Sequence, residues 1–568
     1  MNWMSRHETV GTDTFLTLDR IAPFFFIIGS FVGIWHALPM LSVILDEQYF
    51  VGSVLRAIDM ASVLPPVNEV PYGTVTFYLN YLLQIPYLLV LFAWKGFSIV
   101  SLKTYLILHP EISYLVPRLL NAVIATIVAI TYDRFLRSEE LPLAHRFAVL
   151  SVIFCTVIST ATLHTGKMWV LSTVLAAASA LCTYVALKNY LRGKTETMYG
   201  AVFWGIIFAF ASLANFPLAG IFLINIPVLL YVFRNDTHRF HVAVRAVFVG
   251  IAVLIAVLAT NLQSIYLLVV HTLKDIFPTL NGGALVQVGP SFSTSSLLHL
   301  EQLLVTFPLV IAVVAIAFGF RAIQNKLLFR LSMGYAGLYF LTIVVIVTWL
   351  SDVGRMLHYL FPLAFFFSGA LASIAYEKMR YVIWGFVGLQ TFVFIYVLYL
   401  LSVSTTFNQA AIYIEQNLKH ENVLILNDVV ELSLPLNKES ALLQRDQLCG
   451  SKCMYWRLAI QESDFVPVVV TAQSNIGKVN PSSYNRAYMV KDQRSPESCA
   501  LGPIKTFQSG SSEKDYVDVE RNLGHYFLSD FWHLSRLGKN LMLYEVSDQC
   551  AVSVLAALDG GRGTASSF

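Results

Sequence analysis

The sequence predicts a polytopic α-helical membrane protein with about eleven spans and juxtamembrane helices, followed by a small soluble α/β domain on the outer side. Three observations support this fold class: 56% of the 568 residues are hydrophobic, only 13% are charged, and the mean hydropathy is +0.65. Apolar runs of about 20 residues alternate with short basic loops, as spanning helices require, because lipid offers the backbone no hydrogen-bond partner. A disordered chain, a fibrous repeat and a cytosolic enzyme are therefore excluded.

The charge distribution indicates where the membrane part ends. Residues 405–568 carry 15 Lys and Arg against 18 Asp and Glu, and the apolar runs stop near residue 404. The net charge of +3, without a basic run, indicates no nucleic-acid partner. We therefore predict a cytoplasmic segment 1–20, a membrane domain 21–404, a soluble domain 405–550 and a flexible tail 551–568.

The basic loops predict the orientation of the spans. With the N-terminus in the cytoplasm, sixteen Lys and Arg of the first 404 residues fall inside and seven outside, which is the bias that cytoplasmic loops show. An odd number of spans then places the soluble domain outside. The spans are predicted at 21–45, 117–134, 144–163, 168–188, 199–216, 217–233, 243–262, 302–320, 331–350, 356–376 and 381–404.

One further apolar stretch, residues 75–94, is predicted not to cross the membrane. Counting it as a span would invert every later helix and place cations such as Arg134 and Lys188 outside. Its polar residues Asn80 and Gln84 suit a helix at the outer interface. Residues 46–116 are therefore predicted to form one long external loop that contains juxtamembrane helices.

The soluble domain is predicted to combine strands and helices. Runs of β-branched and apolar residues predict strands at 422–426, 465–471 and 540–546, and 406–418 is typical of a helix. A Cys-x3-Cys pair without nearby His is a poor zinc signature, so no metal site is predicted. Four cysteines could form two disulfides in an oxidising compartment, with the pairing open: Cys449, Cys453, Cys499 and Cys550.

Charged residues at the outer ends of the spans are the candidate functional residues. Asp46 and Glu47 follow the first span directly, and each alone could simply end a helix. Arg118, Lys167 and Arg355 lie at helix ends on the same side, where a single cation can be an interface anchor. Three of only seven outer cations at such ends predict instead a pocket for an anionic group such as phosphate.

A carboxylate base beside a phosphate-binding pocket suits one type of reaction. When a sugar is carried on a lipid phosphate, the leaving group is a phosphate that needs charge neutralisation more than a proton. The acceptor hydroxyl does need a base, which a single Asp can provide. The residues therefore predict direct displacement of the lipid phosphate with inversion at the sugar.

The order of these features resembles the GT-C superfamily of polyprenyl-phosphate-sugar glycosyltransferases, in the branch of protein O-mannosyltransferases and lipid A aminoarabinose transferases. The likeness covers roughly residues 20–400. It rests on five motifs in order: Asp46-Glu47-Gln48-Tyr49, Val70-Pro71-Tyr72-Gly73, Pro117-Arg118-Leu119-Leu120-Asn121-Ala122, the small-residue helix Gly205 to Asn215, and Arg355-Met356-Leu357-His358-Tyr359-Leu360-Phe361-Pro362.

The resemblance implies a GT-C-like membrane domain, a polyprenyl-phosphate-linked sugar as donor, and a place in a bacterial inner (plasma) membrane with the C-terminal domain periplasmic. By this resemblance Asp46 takes the place of the catalytic acid with Glu47 beside it, and Arg118 and Arg355 are candidates for binding the lipid phosphate. The pattern of outer cations adds Lys167 to these candidates. Further candidate substrate contacts are Glu69, Tyr72, His164, His358 and Tyr359.

Two positions depart from the family pattern. Many relatives have a Lys where this chain has Glu69 before Val70-Pro71, and many have an acid in the second outer loop, where this chain has His164-Thr165-Gly166-Lys167. Because that second acid is absent, the resemblance leaves a requirement for a divalent metal open.

Two other functional classes stay open at the level of sequence. A transporter or flippase would also have many spans, but such folds commonly show internal repeats, and this chain has no convincing one. A non-catalytic assembly factor would use the outer domain and leave Asp46, Arg118 and Arg355 as anchors. The sequence names neither the sugar nor the acceptor.

Overall fold

The computed structural model describes most of the chain and is mostly helical, with a small sheet near the C-terminus. Six of its described helices are long and apolar enough to cross a membrane, or up to eight if each of two bent pairs counts as one span. These helices are those of an integral membrane protein, while the count of eleven spans stays a prediction. The described residues are 18–40, 43–44, 47–66, 73–109, 111–193, 198–263, 265–266, 300–350, 357–418, 421–429, 431–434, 468–471, 481–493, 500–511, 516–517 and 531–560.

The first helix ends earlier than the predicted span 21–45. Gly33 and Ala37 have φ angles of 91° and 62°, in the left-handed region, so the right-handed helix cannot continue through them. The apolar stretch predicted at the outer interface forms one long helix. The first four helices are α1 (Leu18–Phe31), α2 (Glu47–Asp59), α3 (Thr74–Trp94) and α4 (Ile99–Leu108).

The next helices form the centre of the membrane domain. The predicted span 144–163 is two helices, α6 and α7, that meet at an angle of 64°. Helices α8 and α9 approach closely at Gly205, where a Cβ atom would lie 3.2 Å from Cβ of Cys182. The bounds are α5 (Glu111–Ser138), α6 (Leu143–Phe154), α7 (Val157–Leu163), α8 (Trp169–Leu191), α9 (Met198–Asn215), a 3-10 helix (Pro217–Ile224), α10 (Asn225–Phe233) and α11 (Thr237–Ala259).

The last membrane helices include a short central one, α14 (Phe361–Ala372). Every residue of α14 is buried, which places this helix in the core of the membrane domain. The helical segment Leu300–Thr306 meets α12 at 91°, so the predicted span 302–320 is sharply bent. The bounds are α12 (Pro308–Gly319), α13 (Lys326–Leu350), a 3-10 helix (Leu357–Leu360), α14 (Phe361–Ala372) and α15 (Tyr376–Ser402).

The segment predicted to be a soluble domain, called the soluble domain below, forms a mixed five-stranded sheet with strand order β2-β1-β3-β5-β4. Strand β1 is parallel to β2 and β3, and β5 is antiparallel to β3 and β4. The predicted helix 406–418 and three predicted strands are confirmed, whereas β3 and β4 were not predicted. The bounds are α16 (Thr406–Leu418), β1 (Val423–Asn427), β2 (Val468–Thr471), β3 (Arg486–Asp492), β4 (Ala500–Phe507), β5 (Leu541–Val546) and α17 (Asp548–Gly560).

Helix α17 occupies the first part of the segment predicted to be a flexible tail from residue 551. Cys550 and Ala551 are buried in the same cluster as Ala487 and Met489 of β3, so this segment is ordered by packing on the sheet. Cys550 is disulfide-bonded. Two cysteines of the membrane domain, Cys155 and Cys182, are free thiols, and the other three lie outside the described residues.

The segment that follows α1 joins the two domains. Met40 and Val43 are buried in the core of the soluble domain together with Phe407 and Ile414. The amide of Asn408 donates to the carbonyl of Leu38 at 3.0 Å. From the end of α15, the Tyr396 hydroxyl donates to the carbonyl of Phe531 at 2.6 Å. The soluble domain therefore packs against the end of the membrane domain at which α1 and α15 finish.

Candidate functional site

A buried ion pair lies where α2 begins. The guanidinium of Arg118 on α5 faces the carboxylate of Glu47 side by side, with Nε to Oε1 at 2.8 Å and Nη2 to Oε2 at 2.6 Å. Both side chains are 1% exposed or less. A buried pair offsets the loss of hydration only with good geometry and further hydrogen bonds, and both conditions are met here.

The rest of the Arg118 guanidinium is also bound within the protein. Nη1 donates to the carbonyls of Ile34 and His36, at 2.8 Å each, in the turns that follow α1. Four of the five N–H groups of the guanidinium are thus engaged. A lipid phosphate would have to displace Glu47 or these carbonyls to bind the engaged N–H groups of Arg118. This geometry therefore limits the predicted role of Arg118 as a phosphate ligand.

The second partner of Glu47 is the tight turn between α7 and α8. The backbone N–H of Gly166 donates to Oε1 of Glu47 at 2.5 Å. A Cβ atom at this position would lie 2.8 Å from Cγ of Pro117 and 3.0 Å from that carboxylate oxygen. Glycine is therefore required here by close approach of the backbone to Glu47, which fixes this turn against the start of α2.

Two more side chains hold the same turn. Asn121, one helical turn after Arg118, donates through Nδ2 to the carbonyls of Thr165 and Lys167 at 2.5 and 3.1 Å. His164 places Nδ1 at 2.6 Å from the carbonyl of Thr160 and Nε2 at 2.8 Å from that of Val32. The turn is thus fastened to α5 on one side and to the end of α1 on the other.

Lys167 follows directly in this turn and is 2% exposed. An ammonium group is strongly hydrated in water, so burial of a Lys is rare without compensating interactions. Lys167 lies one residue beyond Gly166, whose N–H is bonded to the Glu47 carboxylate.

A hydrogen-bond network around Asn215, called the Asn215 clasp below, connects the Gly166 turn with α3 and α9. Oδ1 of Asn215, the last residue of α9, accepts the N–H of Thr76 at 2.9 Å. Its Nδ2 donates to the hydroxyl of Ser172 at 2.6 Å, and its carbonyl accepts the N–H of Gly73 at 2.7 Å. The start of α3, the start of α8 and the end of α9 therefore meet at one point beside Met168.

Three aromatic rings line the same side of the turn. Trp169 packs edge-on against Phe216 and Tyr359, with ring centroids 4.8 and 5.0 Å apart, and Phe216 stacks with Tyr359 at 5.4 Å. This aromatic cluster contacts Met168 and Phe50. An aromatic surface beside a Lys suits a ligand with an anionic group and an apolar or sugar face.

The structure brings together part of the predicted site. Glu47, Arg118, His164 and Lys167 lie around one turn, and Tyr359 joins them through the aromatic cluster. His358 belongs to the 3-10 helix before α14, but its side chain is outside the described part. The predicted residues Asp46, Glu69, Tyr72 and Arg355 also lie outside the described residues.

The candidate site also contains residues that the sequence analysis gave no role in the site, although Asn121 and Asn215 occur in its motifs. Asn121 and Asn215 interrupt apolar helices, and an unpaired amide there would be costly, so each was a signal of a buried hydrogen-bond partner. Trp169 and Phe216 gave no such signal, because aromatic residues are common throughout this chain. Within the described ranges, no group of three or more His, Cys, Asp or Glu is arranged to hold a metal ion.

The arrangement holds the Glu47 carboxylate in a fixed place at one end of the membrane domain. It combines an ion-paired acid, a buried Lys and an aromatic surface around one turn. Comparison with protein-family models, curated proteins and solved structures finds no match to this chain.

Proposed function

We propose that the chain is a membrane glycosyltransferase of the GT-C type. It moves a sugar from a polyprenyl-phosphate-linked donor to an acceptor hydroxyl of a lipid, a glycan or a protein. The transfer takes place at the outer face of the membrane, with inversion at the sugar. The observation that carries the proposal is the buried Glu47–Arg118 pair joined to the Gly166 turn.

This pair supports different roles for the two neighbouring acids, Asp46 and Glu47. Both carboxylate oxygens of Glu47 are bonded within the protein, by Arg118 and by the N–H of Gly166, so Glu47 is not placed to contact a substrate hydroxyl. Asp46 is the preceding residue, and in the proposal it is the general base for the acceptor hydroxyl. A base must be held in position to be effective, and the neighbouring residue Glu47 is anchored by Arg118 and Gly166.

The surroundings of the turn support the donor half of the proposal. Lys167 is buried one residue beyond Gly166, and a Lys that meets a phosphate neutralises the charge that develops on the leaving group. Arg355 lies four residues before Tyr359 in the sequence, and Tyr359 contacts Trp169 at the turn. In the proposal, Lys167 and Arg355 bind the lipid phosphate and Arg118 positions Glu47.

Mass spectrometry of envelope lipids, glycans and proteins tests the proposal. Cells without the gene should lack one sugar modification that cells with the wild-type gene contain. Complementation with Asp46→Asn should not restore it, because the amide keeps the shape and removes the base. Asp428→Asn, at an exposed position of the soluble domain, is the matched control and should restore it.

Two outcomes would contradict the proposal. One is an envelope with the same sugars in the presence and absence of the gene, which would favour a non-catalytic assembly factor. The other is full restoration by Asp46→Asn at equal protein level, which would exclude this mechanism.

A further inference from the structure

A crevice lies between α5, α8, α13 and α14, away from the turn that holds Glu47. Its volume is about 120 Å³, and its walls include Val128, Tyr132, Ala177, Leu181, Leu331 and Phe366. The α14 wall is buried, whereas Tyr132, Ala177 and Leu331 are half-buried and form the rim. The crevice is therefore open sideways between helices and closed towards the core.

The walls favour hydrocarbon over water. Tyrosine hydroxyls of the walls are already bonded within the protein: Tyr132 to Ser368 at 3.0 Å, and Tyr335 to the side chain of Asn225. A buried water needs two to four polar partners, whereas a dry apolar cavity of roughly 150 Å³ accepts a guest the size of benzene. A crevice of 120 Å³ thus holds a short segment of an alkyl chain.

One end of the crevice is polar and rich in cations. Tyr184, which lines the crevice, donates to Glu139 at 3.1 Å and accepts from Asn325 at 2.7 Å, and Lys188 pairs with the same Glu139. Arg192 lies one turn beyond Lys188 and acts electrostatically on Tyr184. Exposed cations of the same end of the membrane domain are Arg134, Arg192, Lys326 and Arg330.

This polar end is distant from the candidate catalytic site. Trp169 begins α8 at the Gly166 turn, and Tyr184 lies fifteen residues later on the same helix, about 22 Å along its axis. The excess of exposed cations complements an anionic headgroup, which is the attraction that anionic membrane lipids exert on basic segments beside a membrane.

We propose that this crevice binds one acyl chain of an anionic glycerophospholipid, with the headgroup at the Tyr184, Lys188 and Arg192 end. The lipid seals the gap between the four helices in the leaflet opposite the Gly166 turn. It is a bound component of the membrane domain and takes no part in the proposed transfer.

The test uses the full chain reconstituted with equal amounts of phosphatidylglycerol and phosphatidylcholine of the same acyl chains. After extraction into detergent, native mass spectrometry counts the lipids that stay bound. The wild-type chain should retain one phosphatidylglycerol. Ala177→Phe should reduce this retention about tenfold or more, because the ring displaces methylenes from an apolar site. Ala256→Phe, on the exposed face of α11, should retain it.

Arg192→Gln should keep a bound lipid but lose the preference for phosphatidylglycerol. A photoactivatable phosphatidylglycerol with a diazirine on its acyl chain gives a second measurement on the wild-type chain, should Ala177→Phe fail to fold. Crosslinks are expected in residues 174–181 and 328–335. Equal retention of the two lipids, normal retention by Ala177→Phe, retention of a polyprenyl lipid instead, or crosslinks only on α11 would each overturn the proposal.

Discussion

At the scale of the residue, the Glu47–Arg118 pair separates the roles of two neighbouring acids. Buried ion pairs are weak evidence for stability as such, since a hydrophobic replacement of both partners is often no worse. This pair does more than join two side chains, because Glu47 also accepts the N–H of Gly166 and Arg118 also holds the carbonyls after α1. Three separate segments of the chain therefore depend on it.

Arg118→Met should destabilise the protein strongly. It leaves the Glu47 carboxylate buried with only the Gly166 N–H beside it, and breaking a buried pair typically costs about 3–5 kcal/mol. The change in unfolding free energy should be measured against wild type in the same detergent. Arg486→Met is the matched control, because Arg486 and Glu545 are exposed and 3.9 Å apart, and it should cause no measurable change. Equal losses in both variants would refute the structural role of Arg118.

Asp46→Asn and Glu47→Gln should fail in different ways. Loss of a positioned general base lowers the rate by about 10² to 10⁴, so Asp46→Asn should keep its folding, insertion and donor binding while transfer is nearly abolished. Glu47→Gln leaves Arg118 buried without its counter-charge and should lower stability first. Transfer to acceptor and the unfolding temperature, measured on both purified variants, separate the two effects. Full activity of Asp46→Asn would eliminate this mechanism.

Gly166→Ala should loosen the turn that carries Lys167. The added methyl group would meet Pro117 at 2.8 Å and Glu47 at 3.0 Å, and overpacking of this kind costs about 1–3 kcal/mol. Gly388→Ala, inside α15 where no atom lies within 4 Å of the added Cβ, is the control and should be tolerated. Unfolding temperature and donor affinity are the readouts, and a Gly166→Ala variant with wild-type values of both would contradict the assigned contact.

At the scale of the element, the sequence predicted those strands and helices whose pattern is local. Strands β1 and β5 are apolar runs of ordinary length, so their composition was sufficient. Strand β4 was missed because Gly502 and Pro503 break its pattern, and the register shifts at these positions. Proline is tolerated there since β4 is at the edge of the sheet. A sequence read along the chain does not reveal which strand will be an edge.

The contacts of the site were beyond prediction for a related reason. Glu47 and Arg118 are 71 residues apart, and Gly166 is 119 residues from Glu47. Sequence spacing placed both charges at the outer ends of helices, but only the packing of α2 on α5 shows that they neutralise each other. The prediction of Arg118 as a phosphate ligand came from counting the cations at the outer ends of the spans, and such a count does not reveal which cation has a buried partner.

The clasp around Asn215 is the element-scale counterpart of that pair, since it joins the ends of three helices. Asn215→Ala should destabilise the protein by about 1–3 kcal/mol, because the N–H of Thr76 loses its acceptor and the hydroxyl of Ser172 loses a donor. Asn417→Ala removes an exposed amide that donates to Tyr413 within α16 and should have little effect. The free energies of unfolding of the two variants should be compared with that of the wild-type chain. An Asn215→Ala variant with the wild-type free energy of unfolding would show that the Asn215 clasp is dispensable.

At the scale of the whole molecule, the soluble domain and the candidate site share one end. Met40 and Val43 are buried in the soluble domain, and Glu47 follows four residues after Val43. The same short segment thus completes the core of one domain and leads into the site of the other. If the soluble domain lies outside the cell, the candidate site therefore lies at the outer face of the membrane. A result that contradicts one of these two predictions also contradicts the other.

Helix α3 is the element on which this topology depends. It is long and apolar enough to cross a membrane, but its contacts favour a helix at the outer interface. Gly73, at its start, is bonded to Asn215 beside the turn that holds Lys167. Eleven residues later, Gln84 donates to the carbonyl of Ser113 at 2.7 Å, and Ser113 lies five residues before Arg118 on α5. A helix crossing the membrane would be near its midplane at Gln84, far from the outer end of α5.

The last prediction is that α3 does not cross the membrane and that the soluble domain is external. Single cysteines at Ser62, which is half-buried, and at Ser101 and Gln508, which are exposed, should react with a membrane-impermeant maleimide in intact cells. A cysteine at Ser138, exposed at the end of α5, should react only after permeabilisation, because the basic loop after α5 is predicted to be cytoplasmic. The background chain should carry Ser at Cys155 and Cys182, which are free thiols. If α3 crosses, Ser62 and Ser101 will label from opposite sides of the membrane. The cations of every later loop that are predicted to be cytoplasmic will then need another explanation.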